Sequence, residues 1–308
     1  MELITMGSQV RENYLKGLFD LGDQCLIEIQ GKDARPFLNG ILTNNIVSLK
    51  SNSGCYALFC TPKGKVLADL FCYSIDDRFI INCRKDLKAK ILELLRRYIV
   101  IQKVEINDVS EEWGGVLILD SHIESTQKDF TYEVVEWEGR SVRKIYKHTW
   151  GYSGYEWWSK EPIKEDLKKK LNILEMSPQT QEILRIESLT PSYGIDFNEN
   201  TLPQEANLMS SLNFEKGCYV GQETIARLQN LGHVNKRLVL LKVETNAPVQ
   251  AGTKILSHQD SQEIGVVTSS CISPKYSGVI AMGYVRYANL GDLEFKINEK
   301  KATLLNPK

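Results

Sequence analysis

A chain of 308 residues, 42% of them hydrophobic, is too long for one comfortable core and too apolar for disorder, so a globular protein of two or three domains is expected. Its 38 Lys and Arg nearly balance 39 Asp and Glu, which removes the net field that would draw DNA, a membrane surface or an acidic partner. The start has no basic segment leading an apolar run, and no stretch approaches the roughly 20 apolar residues of a membrane span, so a cytoplasmic protein is expected.

In chain order, "CLIEIQGKDARPFLNGILTNNIVSL" reads as a strand, a turn at Gly31 and a helix with Phe37, Leu38, Ile41 and Leu42 on one face. The stretch "GCYALFCTPKGKVLADLFCYSIDDRFIINC" predicts three antiparallel strands, turning at Pro62-Lys63-Gly64-Lys65 and at Asp76-Asp77. Residues 86–98 place Leu87, Ile91, Leu94, Leu95 and Tyr98 on one side of an amphipathic helix. Further strands are expected in "VEINDVS", "GGVLILD" and "VRKIYKH", and a lysine-faced helix in "EPIKEDLKKKLNIL". Ser177-Pro178 starts another helix, after which "DFNENTLPQEANL" makes a long irregular crossing. From about Lys236 onward, six short β segments suggest a small barrel or sandwich.

The seven cysteines, Cys25, Cys55, Cys60, Cys72, Cys83, Cys218 and Cys271, are odd in number and lack CxxC spacing, which argues against a disulfide framework and a zinc ribbon. Four scattered histidines (122, 148, 233, 258) show no HxxH or HExxH spacing, and the serine-hydrolase and phosphate-loop signatures are absent. No metal site is expected.

Chemistry concentrates in "EKGCYVGQETIAR", residues 215–227. A lone cysteine often packs as a small hydrophobe. Here Gly217 and Gly221 remove bulk on both sides of Cys218 and free the backbone to turn or to approach a ligand. Lys216 and Arg227 supply cations that favour a thiolate, and Gln222, Glu223 and Arg227 fall where a helix begins. Glu223 and Arg227 also fit an ordinary i,i+4 surface pair. Glu187, in "RIES", is either a solvated carboxylate beside an apolar face or an acceptor for paired N–H groups of a heterocycle. Asp69 alternates within an apolar strand, as a wet-face residue would. The aromatic "WGYSGYEWWSK" suits ring stacking or structure equally.

Taken together, "KGCYVGQE", the upstream "RIESLTPSYGIDFNENTLPQEANL", and "FLNGILTNNIVSL" with "YALFCTPKGKVLADL" resemble the YgfZ-type folate-binding proteins, relatives of the glycine-cleavage T-protein (aminomethyltransferase), over most of the chain. The resemblance implies an α+β fold: a three-domain ring of T-protein type, with two interleaved α+β folate-binding domains over residues 1–235 and a C-terminal small β-barrel over 236–308. It implies tetrahydrofolate or a derivative as ligand. Glu187 then matches the acidic residue that contacts the pterin, and Cys218 the signature cysteine. Lys216, Gly217, Tyr219, Gly221, Gln222, Glu223 and Arg227 flank it as binding residues, with Asp69 facing the cavity. Iron–sulfur assembly or client proteins are the partners implied, with an indirect effect on tRNA modification. The T-protein carries an Asp-Asp pair where this chain has Ala68-Asp69, and it lacks the signature cysteine, so the pattern favours the YgfZ branch. Two rivals stand beside this reading. One is a folate-dependent one-carbon transferase with Asp69 as acid–base group. The other is a tRNA-binding module using the C-terminal barrel and Trp157-Trp158, which the near-zero net charge disfavours.

Overall fold

The structure, a computed structural model, describes residues 16–120 and 128–305. The start of the chain over 1–15 and His122 lie outside the described residues. The described strands form three sheets, and the chain divides into two compact units, each assembled from separated stretches.

The first unit takes the described residues of 1–40, 44–57 and 70–178. One of its sheets has the order β1 (Lys16–Asp20), β7 (Gly114–Asp120), β10 (Tyr152–Ser159), β9 (Arg140–Thr149), β8 (Tyr132–Trp137). A second sheet orders β3 (Ser53–Cys60), β4 (Val66–Ile75), β5 (Arg78–Arg84), β2 (Gln24–Gln30), β6 (Glu105–Asp108), with residues 58–60 of β3 and 66–69 of β4 counted in the second unit. Strands β3 to β5 are the expected meander, and alternation drives it: Val66, Ala68, Leu70 and Cys72 are buried, while Leu67, Asp69 and Phe71 are half-buried. Helix α1 (Ala34–Ile41) follows β2, and α2 (Lys88–Tyr98) buries Ile91, Leu94 and Leu95. The turn before α2, Lys85–Leu87, winds as a tighter 3-10 segment, so the helix begins two residues later than its periodicity suggests. Helix α3 (Lys164–Leu171) buries Leu167 alone, with its lysines outward as expected.

A buried ion pair lies between neighbouring strands of the first sheet. Lys147 on β9 reaches Glu156 on β10, and both side chains are about 5% exposed. Trp158 Nε1 donates to the other Glu156 oxygen at 3.2 Å, and the Lys147 ammonium sits 3.5 Å from the centroid of the Phe71 ring. This corrects the stacking role considered for Trp157-Trp158. Trp158 is buried with its N–H committed, and Trp157 packs edge-on to Trp137 at 5.2 Å.

The second unit takes residues 41–43, 58–69 and 179–308 as far as they are described. After α4 (Pro178–Glu187), the irregular crossing and α5 (Gln222–Leu231), six strands close a barrel in the order β11-β14-β13-β12-β15-β16. These are β11 (Lys236–Val243), β12 (Lys254–Ser257), β13 (Glu263–Ser273), β14 (Gly278–Arg286), β15 (Glu294–Ile297) and β16 (Lys300–Leu305). Leu241, Val243, Ile255, Val267, Ala281 and Phe295 belong to one core cluster. Leu238, Leu240, Ile280 and Met282 face the other way and pack with Ile186 of α4. Residues 238–241 are therefore a continuous apolar run, because β11 is covered on both faces.

Lys147→Met leaves the Glu156 carboxylate buried without its cation and is expected to lower stability by about 3–5 kcal/mol in a denaturant titration. Adding Glu156→Leu should recover part of that loss, which no simple packing defect would do.

Candidate functional site

Cys218, Glu187 and Asp69 all fall in the second unit, although Asp69 is more than a hundred positions from the others. The β3–β4 turn contributes residues 58–69 to this unit, and the Cys218 loop is built against it.

That packing rests on two glycines. Gly221, immediately before α5, has φ +89°. A Cβ there would lie 2.5 Å from the Thr61 carbonyl oxygen and 3.2 Å from Cys60 Cβ. Gly64 at the hairpin tip has φ +74°, and a Cβ there would lie 3.1 Å from Ile225 and 3.3 Å from Thr224. Gly221 thus admits the hairpin backbone and Gly64 admits side chains of the helix, each in a left-handed conformation that side chains disfavour. Helix α5 starts at once from this contact: Ile225 N donates to Gly221 O at 3.3 Å, and Gln204 Nε2 holds the Ile225 carbonyl at 2.8 Å.

Upstream, the loop turns two of its polar side chains inward. Lys216 is 8% exposed and donates from Nζ to the Leu42 carbonyl at 2.7 Å, with the Tyr219 ring 4.9 Å away. Tyr219 is buried, and its hydroxyl has no hydrogen-bond partner among the described residues. Burial first, and the neighbouring Cys60, push that hydroxyl up to about 12. Gln222 Nε2 reaches the Lys216 carbonyl at 3.4 Å and helps close the loop. Gly217, Cys218, Glu223 and Arg227 are exposed. Cys218 is the exposed cysteine, and the other six are buried. The expected site residues therefore sort into an inner set (Lys216, Tyr219, Gly221), a closing contact (Gln222) and an outer set around the sulfur.

Glu187 is the last residue of α4, and it is buried, not solvated. Its Oε1 accepts from the Ser273 hydroxyl and from Lys275 N at 3.1 Å, both at the β13–β14 turn. Its Oε2 is buried with no hydrogen-bond partner among the described residues. Burial raises the carboxyl above its ordinary value, against the lowering effects of Ser273 and Lys275. Two positions earlier, Arg185 is stapled to the Thr190 carbonyl at 2.9 Å, to Ser269 Oγ at 3.0 Å and to the buried Asp196. Asp196 in turn accepts from Thr268 and Ser269 hydroxyls, each at 2.6 Å. The Arg-x-Glu sequence thus divides into a clamp and an acceptor.

Asp69 is half-buried on β4, close enough to Tyr193 to act on its hydroxyl. That hydroxyl is pushed up by burial, by its hydrogen bond to Glu199, and by Asp69. Ser273, Lys275, Tyr193 and Glu199 are the polar residues that sequence reasoning did not single out. Nothing local in "CISPKYSG" links Ser273 to Glu187, which is 86 positions away. A depression of about 680 Å³ lies on the first unit, lined by Gln30, Lys32, Arg35, Asp76, Phe79 and Glu105, and includes none of the expected residues. Arg35 there is taken up by the Ile46 and Leu49 carbonyls and Ser74, so the polar chemistry of the second unit is the better guide to function.

Residues 8–119 match the GCVT N-terminal domain, and residues 236–304 match the Glycine cleavage T-protein C-terminal barrel domain. An uncharacterized protein of Haemophilus influenzae is 27% identical over 251 residues, covering 80% of this chain and 81% of that protein. An aminomethyltransferase of Caldanaerobacter subterraneus subsp. tengcongensis is 27% identical over 304 residues, covering 90% of this chain and 79% of the relative. The crystal structure of glycine cleavage system aminomethyltransferase T from Bartonella henselae superposes with a TM-score of 0.83 at 20% identity, covering 97% of this chain and 88% of that one. The fold is therefore that of the T-protein, with mixed α/β parts and a closed six-stranded C-terminal barrel. No helix among the described residues is long and apolar enough to cross a membrane.

Gly221→Ala must hold a positive φ and relieve a 2.5 Å contact with backbone, so a loss of about 1–3 kcal/mol or more is expected from chemical unfolding. The raised Glu187 carboxyl gives a second expectation. Where the folded pKa exceeds the unfolded one, the native state binds the extra proton, and stability falls as pH rises from 4.5 toward the folded value. In Glu187→Gln that fall should be absent, leaving a flatter pH–stability curve just above 4.5.

Proposed function

We propose that this chain, which carries the N-terminal and C-terminal barrel domains of the glycine-cleavage T-protein, is a tetrahydrofolate-binding accessory protein for iron–sulfur cluster assembly or repair, indirectly supporting tRNA modification. The observation that carries this reading is the isolation of Cys218: one exposed sulfur on a loop whose neighbouring side chains and glycines lock inward. A thiol so placed can meet a second protein without unfolding the loop that holds it. One thiolate cannot complete the four-ligand set of a typical cluster, so contact with a cluster would be shared with an assembly or client protein.

The acceptor side of the site fits tetrahydrofolate. A pterin presents an amino group and a ring N–H side by side, two donors that a carboxylate accepts together. Glu187 retains a buried oxygen with no hydrogen-bond partner among the described residues, while Ser273 and Lys275 fix the orientation of the group. Glu187 would therefore hold the pterin, and the bound folate would supply nitrogens able to carry a one-carbon unit. Lys216, Tyr219, Gly221 and Gln222 act in this reading by shaping the wall of the site, and Gly217, Glu223 and Arg227 by lining its outer edge.

A second reading, folate-dependent aminomethyl transfer, is supported by the Caldanaerobacter relative and by the nearness of Asp69, Tyr193 and Glu199. In it, Asp69 exchanges the proton at the reacting amine.

Titration with tetrahydrofolate is expected to show Glu187→Gln weakened on the order of tenfold or more, the loss of a charged acceptor. Cys218→Ala should bind as the wild type does, yet fail to restore iron–sulfur enzyme activity in cells lacking the endogenous protein. Full complementation by that variant contradicts the thiol role. Formation of 5,10-methylenetetrahydrofolate from an aminomethyl donor, abolished by Asp69→Asn, would establish the transferase reading instead.

A further inference from the structure

Strands β2 and β5 are neighbours in the first unit, and their register sets Cys25 directly opposite Cys83. Opposed residues of an antiparallel ladder share a face and have Cα atoms about 4.5–5.5 Å apart, inside the roughly 4.4–6.8 Å that a disulfide spans. Here the two sulfurs are 3.2 Å apart, and the side chains are 1% and 3% exposed. Closing to the bond length of about 2.0 Å requires a movement of little more than about 1 Å.

The surroundings differ from those of the other buried cysteines. Cys60 and Cys271 are pushed up to about 12 by burial, and Cys72 is raised as well. Cys25 is held below its ordinary value, first by its hydrogen bond with Cys83, with Ser110 and Lys88 adding to the effect against burial. Lys88 forms a 2.8 Å ion pair with Asp108, and both are partly exposed, so the pair of thiols lies beside a solvated edge of the sheet.

We propose that Cys25 and Cys83 form a reversible redox pair, oxidised to a cross-strand disulfide by a small hydroperoxide and independent of the folate and Cys218 reading. The Cys25 thiolate attacks one oxygen of hydrogen peroxide, the O–O bond breaks, and the departing hydroxide takes up the thiol proton as water. The Cys83 sulfur then attacks the resulting sulfenic acid, its proton leaves with the sulfenic oxygen as a second water, and the S–S bond forms. Two thiols lose two electrons, and one peroxide is reduced to two waters. The bond clips β2 to β5 across a loop of 58 positions.

The test uses the full chain. After peroxide treatment of the folded protein, remaining thiols are alkylated in denaturant and the digest is read by mass spectrometry. The expected product is a Cys25–Cys83 linked peptide, about 2 Da lighter than its two thiol peptides, and reversed by dithiothreitol. In Cys83→Ser the resolving thiol is gone, and dimedone added together with the denaturant after peroxide treatment should trap a sulfenic acid at Cys25 several-fold more than in the wild type. Recovery of both cysteines fully alkylated, at a dose that oxidises Cys218, would overturn the proposal. So would sulfinic acid at Cys25 in the wild type, or linkage of either residue to Cys218. Should Cys83→Ser not fold, mapping of the wild type alone decides.

Discussion

The close approach of backbone at Gly221 and Gly64 is the constraint from which the candidate site follows. No side chain fits at Gly221, where a Cβ would stand 2.5 Å from the Thr61 carbonyl. The start of α5 is therefore seated on the β3–β4 turn, and the segment before it has little freedom. Lys216 commits its charge to the Leu42 carbonyl, and Tyr219 is buried with its hydroxyl raised by that burial and by Cys60. Gly217, Cys218, Glu223 and Arg227 remain outside, and the sulfur among them is that of Cys218. Lys216, Tyr219 and Gly221 are thus packed inward as scaffold, and the Cys218 sulfur stands exposed beside them.

The same economy governs the acidic side. Arg185 and Asp196 form a buried pair whose remaining donors and acceptors are met by Glu182, Thr190, Ser192, Thr268 and Ser269. A buried pair completed in this way fixes geometry more than it adds stability. Ile186 between them packs on the outer face of the barrel, which sets the end of α4 against the β13–β14 turn. Glu187 is aligned as a result, with one oxygen held by that turn and the other buried in reserve.

Much of the architecture was legible because it is local. Alternation and turn residues located β3 to β5 and the six barrel strands, helical periodicity located α1 and α2, and Ser177-Pro178 marked the start of α4, each to within a few residues. Pairings between distant segments were not legible. Nothing local in "GGVLILD" or "KGLFD" announces that β1 pairs with β7, and no spacing rule brings Ser273 to Glu187 or Cys83 to Cys25. Lys216 illustrates the limit most clearly. Sequence proximity suggested a cation for the thiol, whereas the four-carbon stem carries its ammonium inward to a backbone carbonyl. Trp158 failed as a stacking surface for a related reason: strand alternation put it inside, where its N–H serves Glu156.

Site-resolved alkylation of the folded protein tests the central claim most directly, because it reads the exposure of each sulfur under native conditions. With iodoacetamide and mass mapping, Cys218 should label at a rate close to that of a small-molecule thiol, while the six buried cysteines label only on unfolding. Protection of Cys218 to the same degree as Cys60 or Cys271 would contradict the account.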